Sequence, residues 1–212
     1  MPYSGATIRL ALGWGDTVRK GMNKCWLHGL AGIMAVLVAA DFAQANEATL
    51  SVVKGKVTVG GQPGSVNVKV SDNQEVRTGG GSYAELKFGD GSIARLGPNS
   101  VFHFKGSNFW VDGGEGLFSF AKGKGGFTVS SPLLNARILG TTVDLKVSRN
   151  LVEYSCLEGH CRIGPHNLSP GDKLTLRGSN AAYSAPKTKV DLDRFAKDNP
   201  LVSQLGKLPN FP

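Results

Sequence analysis

The feature that most constrains this chain is an alternation of apolar and polar side chains that runs from Leu50 to Leu176 and is interrupted by glycines. Alternation over a few residues is typical of strands that bury one face, because successive side chains of a strand point to opposite sides. The runs recur about every ten residues, as in sandwiches and barrels, and no long helical run lies between them. We therefore predict an all-β fold of short, glycine-rich strands in two packed sheets, a sandwich or a solenoid-like β-roll.

Two local patterns predict individual elements. Asp90-Gly91 lies between two alternating runs, Ala84–Phe88 and Ile93–Leu96. It predicts a hairpin with a two-residue type I′ turn, in which both residues have a positive φ. Near the end of the chain, Asp191 can start a short helix, and Pro200 can end it. We expect this tail, residues 186–212, to pack on the domain; the alternative is a loose docking peptide.

The first forty-five residues have the pattern of an export signal. The apolar run Gly29–Ala40 follows Lys24 and precedes the small-x-small sequence Ala43-Gln44-Ala45. This order is typical of a secretory signal peptide cleaved after Ala45. The run is shorter than the roughly 18–20 residues that span a membrane. We predict that residues 1–45 are a signal peptide, with Met22 as an alternative start, and that the product is periplasmic or secreted.

The charge of the chain is positive but spread out. The formal net charge is +8, and removal of residues 1–45 takes away four basic and two acidic residues, which leaves +6. After residue 45 the basic residues form no cluster denser than pairs two positions apart, such as Lys122-Gly-Lys124. Nucleic-acid proteins concentrate charge on a stripe with stacking aromatics, and no such stripe is visible in the sequence. We therefore expect a generally basic surface and no nucleic-acid partner.

Two cysteines remain after the predicted cleavage, Cys156 and Cys161. The four residues between them look like a hairpin turn, which would bring the two side chains within disulfide reach. An exported chain meets an oxidising compartment, so we predict a disulfide. A zinc or copper site with His160 and His166 is an alternative. It is disfavoured because the neighbours His160 and Cys161 would point to opposite faces of a strand. We expect no metal.

No convergent catalytic constellation stands out in the sequence. Ser100, Asp90 and His103 have the residue types of a Ser-His-Asp catalytic triad, but no nucleophile-elbow motif accompanies them. Asp112 and Glu115 supply too few oxygens for calcium. We predict that the chain is not an enzyme and carries no cofactor.

Several segments stand in a fixed order over residues 50–177. They include Ser82-Tyr-Ala-Glu-Leu-Lys-Phe-Gly-Asp-Gly-Ser92, Leu96-Gly-Pro-Asn-Ser100 and Arg137-Ile-Leu-Gly-Thr-Thr-Val143. This set resembles the periplasmic FecR domain, although Val143 stands where the family often has Phe, and the cysteines stand where it usually has Val. The residues that match the family's motifs are Thr78, Ser82, Asp90, Gly91, Ser92, Gly97, Pro98, Ser100, Pro132, Gly140, Thr141, Gly159 and Gly171. Each also has a structural interpretation as a turn or bulge residue.

The resemblance implies an extracytoplasmic β-rich domain, here residues 46–185, that serves in signal relay. Full-length FecR regulators place an anti-sigma segment and a membrane span before this domain. The apolar run here is interpreted as a cleaved signal, so the anti-sigma role is not carried over and we expect no membrane span in the mature chain.

The sequence thus predicts a stand-alone, non-enzymatic periplasmic binding module for envelope signalling or assembly, with an envelope protein as partner. The alternative is a structural or polysaccharide-binding envelope protein. The suggested contact regions are the loops 89–92 and 97–100 and the Cys156–Cys161 segment.

Overall fold

The computed structural model describes residues 47–122, 126–139, 142–178, 187–206 and 208. Its strands are short and follow one another with few residues between them. They are β1 (Glu47–Lys54), β2 (Val57–Val59), β3 (Gln62–Pro63), β4 (Lys69–Ser71), β5 (Val76–Thr78), β6 (Tyr83–Phe88), β7 (Ile93–Leu96), β8 (Val101–Lys105), β9 (Asn108–Ser119), β10 (Gly126–Ser130), β11 (Asn135–Leu139), β12 (Thr142–Ser148), β13 (Leu151–Cys156), β14 (His160–Ile163), β15 (His166–Leu168), β16 (Asp172–Arg177) and β17 (Lys187–Lys189). Two short helices follow, α1 (Leu192–Asp198) and α2 (Pro200–Ser203).

The strands form two sheets that share β9. Sheet A has the order β4-β1-β6-β7-β9-β12-β13-β16-β17. Sheet B has the order β3-β2-β5-β8-β9-β10-β11-β14-β15. All pairs are antiparallel except β9 with β10, which run parallel. The predicted all-β fold in two packed sheets is confirmed.

The long strand β9 joins the sheets by bending in its middle. Its first half pairs with β8 and β10 in sheet B, and its second half pairs with β7 and β12 in sheet A. Gly114 lies at the bend with φ +82°, and a Cβ there would lie 2.4 Å from Ser100 Cα. Only glycine accommodates both this backbone conformation and this close approach.

The core lies between the sheets and is filled by alternate residues of both. Seven phenylalanines form a continuous set of ring contacts within it: Phe88, Phe102, Phe104, Phe109, Phe118, Phe120 and Phe127. A fully buried side chain of this size stabilises a fold by roughly 1.5–3 kcal/mol, so these rings are a main source of its stability. Tyr154 is also buried, and its hydroxyl donates to the carbonyl oxygen of Leu134 at 2.5 Å.

The predicted hairpin at Asp90-Gly91 is present, but its turn type differs from the prediction. Strands β6 and β7 are antiparallel neighbours, and Lys87 lies opposite Ile93 next to the turn. Within the turn, Gly91 N donates to Phe88 O at 3.0 Å. Gly91 has φ +89°, whereas Asp90 has no positive φ. Phe88 N also donates to Ser92 O at 2.9 Å, so residues 89–91 form a three-residue loop with its left-handed residue at Gly91, and the type I′ assignment was wrong. Asp90 instead accepts a hydrogen bond from Ser92 N at 2.8 Å.

The predicted hairpin between the two cysteines was wrong. Strand β13, which ends at Cys156, pairs with β12 and β16 in sheet A. Strand β14, which contains Cys161, pairs with β11 and β15 in sheet B. The intervening residues therefore cross from one sheet to the other, and both cysteines point into the core from opposite sides.

The structure does not join these cysteines in the predicted disulfide. Cys156 and Cys161 are both buried thiols. Their sulfur atoms lie 2.6 Å apart, whereas a disulfide bond measures about 2.0 Å. Both side chains are part of the buried core.

The C-terminal segment forms the predicted short helix and turn. Asp191 caps α1 by accepting a hydrogen bond from Arg194 N at 3.0 Å, and Asn199 separates α1 from α2. The segment also contributes β17 to the edge of sheet A. Across the described ranges, neither helix has the length and apolar character needed to span a membrane.

Candidate functional site

The first group of family-motif residues forms a buried hydrogen-bond network at one end of the sandwich. Thr78 Oγ1 donates to Gly97 O at 2.5 Å and accepts from Ser100 N at 2.8 Å. Ser100 Oγ lies 2.9 Å from both Gly97 O and Glu115 O, and it accepts from Glu115 N at 3.0 Å. Ser100 is fully buried. These hydroxyls satisfy main-chain groups where the chain passes between the sheets.

The second group of motif residues holds two tight turns. Ser82 Oγ accepts a hydrogen bond from Lys56 N at 2.9 Å. The Asp90 carboxylate binds both N and Oγ of Ser92, and Ser92 Oγ in turn accepts from Ala121 N at 3.1 Å. Both serines are buried. Their hydroxyls are used inside the fold.

The remaining motif residues serve turns or lie outside the described residues. Gly159 and Gly171 have positive φ angles of 71° and 81°, which favour glycine. Pro132 is exposed in a turn, and Pro98 is half-buried. Gly140 and Thr141 lie outside the described residues.

The three residues of the hypothetical triad have separate partners. Ser100 binds main-chain groups, and Asp90 binds Ser92. His103 stacks on Trp110 with ring centroids 4.9 Å apart, and its Nδ1 lies 3.5 Å from the Asp112 carboxylate. This arrangement gives no nucleophile–base pair.

The candidate metal ligands are likewise distributed over different surfaces. Cys161 is buried, whereas its neighbour His160 is exposed on the outer face of sheet B. Asp112 pairs with His103, and Glu115 pairs with Lys146 at 3.2 Å. No group of three or more His, Cys, Asp or Glu side chains suited to a metal ion occurs within the described ranges.

The outer face of sheet A is covered in its middle by the C-terminal helices. Ile93 and Leu117 of this face pack against Leu201, Val202 and Leu208.

A buried arginine fastens the same contact. Arg95 Nε donates to the Glu85 carboxylate at 2.9 Å, and its other nitrogens donate to the carbonyl oxygens of Leu201, Leu205 and Gly206. Its charge is thus matched by one carboxylate and by the carbonyls at the end of α2.

Two buried carboxyl groups of sheet A have opposite pKa shifts. Burial raises the pKa of Asp144 well above 3.8, and the nearby Glu115 charge adds to the rise. Asp144 Oδ1 has no hydrogen-bond partner among the described residues. Burial also acts to raise the pKa of Asp172, but hydrogen bonds from Lys189, Ser169 N and Lys187 outweigh it and hold that pKa well below its usual range.

The outer face of sheet B carries no helical cover among the described residues. On β11, β14 and β15 it exposes a group that we call the basic face: Arg137, Leu139, His160, Arg162 and Asn167. Arg137 and Arg162 stand directly opposite each other in the β11–β14 register. A cavity of about 430 Å³ opens beside them, lined by Leu139, His160, Arg162 and Asn167 among others.

Sequence reasoning did not identify the basic face. Arg137 and Arg162 are 25 positions apart, and only the pairing of β11 with β14 brings them together. The available signal was the absence of Asp and Glu from two stretches, 116–143 and 159–171. Such acid-free stretches leave lysines and arginines with few local partners.

Comparison with known proteins finds one family model that matches part of the chain. The sequence model of the family described as "FecR protein" matches residues 74–162. No curated protein matches the chain. Two crystal structures, at 1.65 and 2.50 Å resolution, of a Parabacteroides distasonis protein described as an anti-sigma factor are 18% identical to the chain with a TM-score of 0.49. Each match covers 55% of this chain and 60% of that one.

Proposed function

The chain carries a FecR-family domain over residues 74–162, and on that premise we propose that it is a non-enzymatic binding module of the cell envelope. In this role it takes part in envelope signalling or assembly by holding a protein partner. The family match is the observation that carries the proposal. It extends from β5 into β14 and so includes strands of both sheets and the strand β9 that joins them.

The burial of the hydroxyl groups of the motif residues favours a binding role over catalysis. Thr78, Ser82 and Ser100 are buried and bound to main-chain groups. Catalysis needs a nucleophile or a general acid–base pair that can reach a substrate. Exposed polar side chains such as Arg137 and Arg162 lie on the outer face of sheet B, where a partner can approach.

Export to the periplasm is part of the proposal. It is supported by the basic, apolar and small-residue order of residues 24–45. Sequencing the N-terminus of the mature protein tests it: a chain that starts at Asn46 is expected, and a chain that keeps Met22–Ala45 would contradict export with cleavage.

Crosslinking in the native envelope tests the function itself. The tagged chain is expressed in its own host, treated with a short crosslinker and analysed by mass spectrometry. We expect one reproducible protein partner, with crosslinks on the β domain. Fractionation with cell-wall material without any specific protein crosslink would contradict the proposal and favour a polysaccharide-binding role.

A further inference from the structure

We propose that the basic face binds an acidic segment of the protein partner, with Arg137 and Arg162 holding its carboxylates and Leu139 contacting an aliphatic side chain. This inference rests on the proposed function, because it names the surface and the chemistry by which that partner is held. Neither the family match nor the motif residues assign a role to these side chains.

The facing arginines are the first observation. Arg137 and Arg162 are exposed cross-strand neighbours, and like charges directly opposite each other in a sheet are destabilising. Neither guanidinium has an ion pair or a side-chain hydrogen bond among the described residues. Two unpaired guanidinium groups side by side offer parallel N–H donors that match carboxylates. The fold therefore maintains a pair that an anionic ligand would stabilise.

The surroundings of the pair strengthen its attraction for anions. Strands β10, β11, β14 and β15 contain no Asp or Glu. Several cations elsewhere on the surface do have acidic partners, as in Lys69–Glu47 and Lys173–Glu153. A patch of one sign with no compensating charge steers an oppositely charged partner to it.

Leu139 supplies the apolar contact. Its side chain is 53% exposed, and among the described residues only Val66 is a comparably exposed large hydrophobic residue. Leu139 also lines the cavity with Arg162. Gly126 on the neighbouring strand makes room for it, since a Cβ there would lie 3.2 Å from Arg137 Nε and 3.4 Å from Leu139 Cδ2. Arg137 and Leu139 thus lie side by side over the β10 main chain. A ligand can therefore contact the guanidinium with a carboxylate and the leucine with an aliphatic side chain.

The same face is poorly suited to nucleic acid. Single-stranded nucleic acids bind through aromatic side chains on which the bases stack. Strands β10, β11, β14 and β15 expose no Phe, Tyr or Trp, and Phe127 is buried in the core. On the adjacent strand β9, one face of the Trp110 ring is already covered by His103. A polypeptide carrying carboxylates and aliphatic side chains fits these groups better.

The test measures binding of a defined peptide by fluorescence anisotropy. The probe is a labelled nine-residue peptide of three Glu-Glu-Leu repeats, and its counterpart has Lys in place of Glu. We expect the purified chain to bind the acidic peptide, with an affinity that falls as salt is added, and not to bind the lysine peptide. The double variant R137E/R162E should weaken binding by about tenfold or more, because both contacts become repulsive.

The matched control is Lys105→Glu, which reverses an exposed charge on β8 of the same sheet face and should change binding less than twofold. A folding check comes from Arg162→Glu alone. It places opposite charges across the β11–β14 pair, so its urea midpoint should equal or exceed that of the parent chain. The single variant Arg162→Glu is therefore expected to stay folded, so that its loss of acidic-peptide binding would report on the contact itself.

Three results would overturn the inference. They are failure of the parent chain to bind the acidic peptide, an equal loss of binding in K105E, and equal competition by phosphatidylglycerol vesicles or a single-stranded oligonucleotide. Envelope crosslinking of R137E/R162E separates this inference from the proposed function. If the variant keeps the partner that the parent captures, the surface is wrong and the function stands. If the parent captures no partner, the proposed function itself fails.

Discussion

At the scale of single residues, the family motifs act as internal connectors. Thr78 and Ser100 tie the loop at Gly97 to the bend of β9, and Gly114 lets the two segments touch. These residue types were predictable from the sequence because turn chemistry favours Gly, Ser, Thr and Asp. Their buried partners were not, because Glu115 and Ser100 meet only after β8 and β9 have paired.

Gly114 should be far less tolerant of alanine than another glycine with the same backbone conformation. Gly114 and Gly61 have φ values of +82° and +81°, but a Cβ at Gly114 meets Ser100 main-chain atoms, whereas one at Gly61 meets nothing within 4 Å. We expect Gly61→Ala to cost about 1 kcal/mol from the left-handed conformation alone. Gly114→Ala should cost more than about 4 kcal/mol or prevent folding. Urea denaturation measures both, and equal costs would contradict the close approach.

The hydroxyl of Ser100 should contribute measurably to stability. Ser100→Ala leaves Glu115 N without its buried acceptor, which we expect to lower the free energy of unfolding by about 1–3 kcal/mol. Ser148→Ala, which removes an exposed hydroxyl, is the control and should change it by less than about 0.5 kcal/mol. Similar small effects in both variants would show that the buried network is not important for stability.

The raised pKa of Asp144 predicts a pH dependence of stability. The unfolded chain releases this proton near pH 4, whereas burial keeps it bound in the fold to higher pH. The contribution of Asp144 is therefore complete below pH 4 and falls as the pH rises toward the folded pKa. Asp144→Asn should stabilise the protein at pH 7 and have little effect at pH 4. The exposed control Asp193→Asn should give no such gain, and a gain at pH 4 for D144N would contradict the assignment.

At the scale of elements, the period-two pattern predicted most strands because it records which side chains are buried. It carried no information about which sheet a strand joins. Cys156 and Cys161 show the difference, since the chain between them looks like a hairpin in sequence and yet connects sheet A to sheet B. The helix start at Asp191 was predictable, because capping depends on local residues.

The C-terminal helices should be held to sheet A mainly through Arg95. Arg95→Met removes the nearest cation of the buried Glu85, which keeps a hydrogen bond from Ser51 Oγ and Lys87 at 4.0 Å, and it removes three hydrogen bonds to tail carbonyls. We expect a loss of about 3–5 kcal/mol and faster proteolysis after residue 191, because a buried charge loses its closest partner and the tail loses its hydrogen bonds to the sheet.

Arg194→Met is the matched control for Arg95→Met. It removes only an exposed helix pair with Asp198, and it should cost about 0.5 kcal/mol or less. A proteolysis rate in R95M that matches R194M would show that Arg95 does not fasten the tail.

At the scale of the whole molecule, the two outer sheet faces differ in what covers them. Among the described residues, the C-terminal helices cover the middle of sheet A, and the basic face of sheet B is exposed. The fold class and the family resemblance could be predicted from the sequence. The basic face could not, because Arg137 and Arg162 are far apart in sequence and become neighbours only when β11 pairs with β14. Binding by a protein partner is consequently expected on sheet B.

The most direct test of this account is site-specific photo-crosslinking in the native envelope. A photoreactive residue is placed at Asn167, beside Arg162 on sheet B, or at Lys87, exposed on the outer face of sheet A. The account predicts a crosslink to one protein partner from position 167 and none from position 87. Crosslinking from position 87 alone, or from neither position, would contradict a binding module that works through the open face of sheet B.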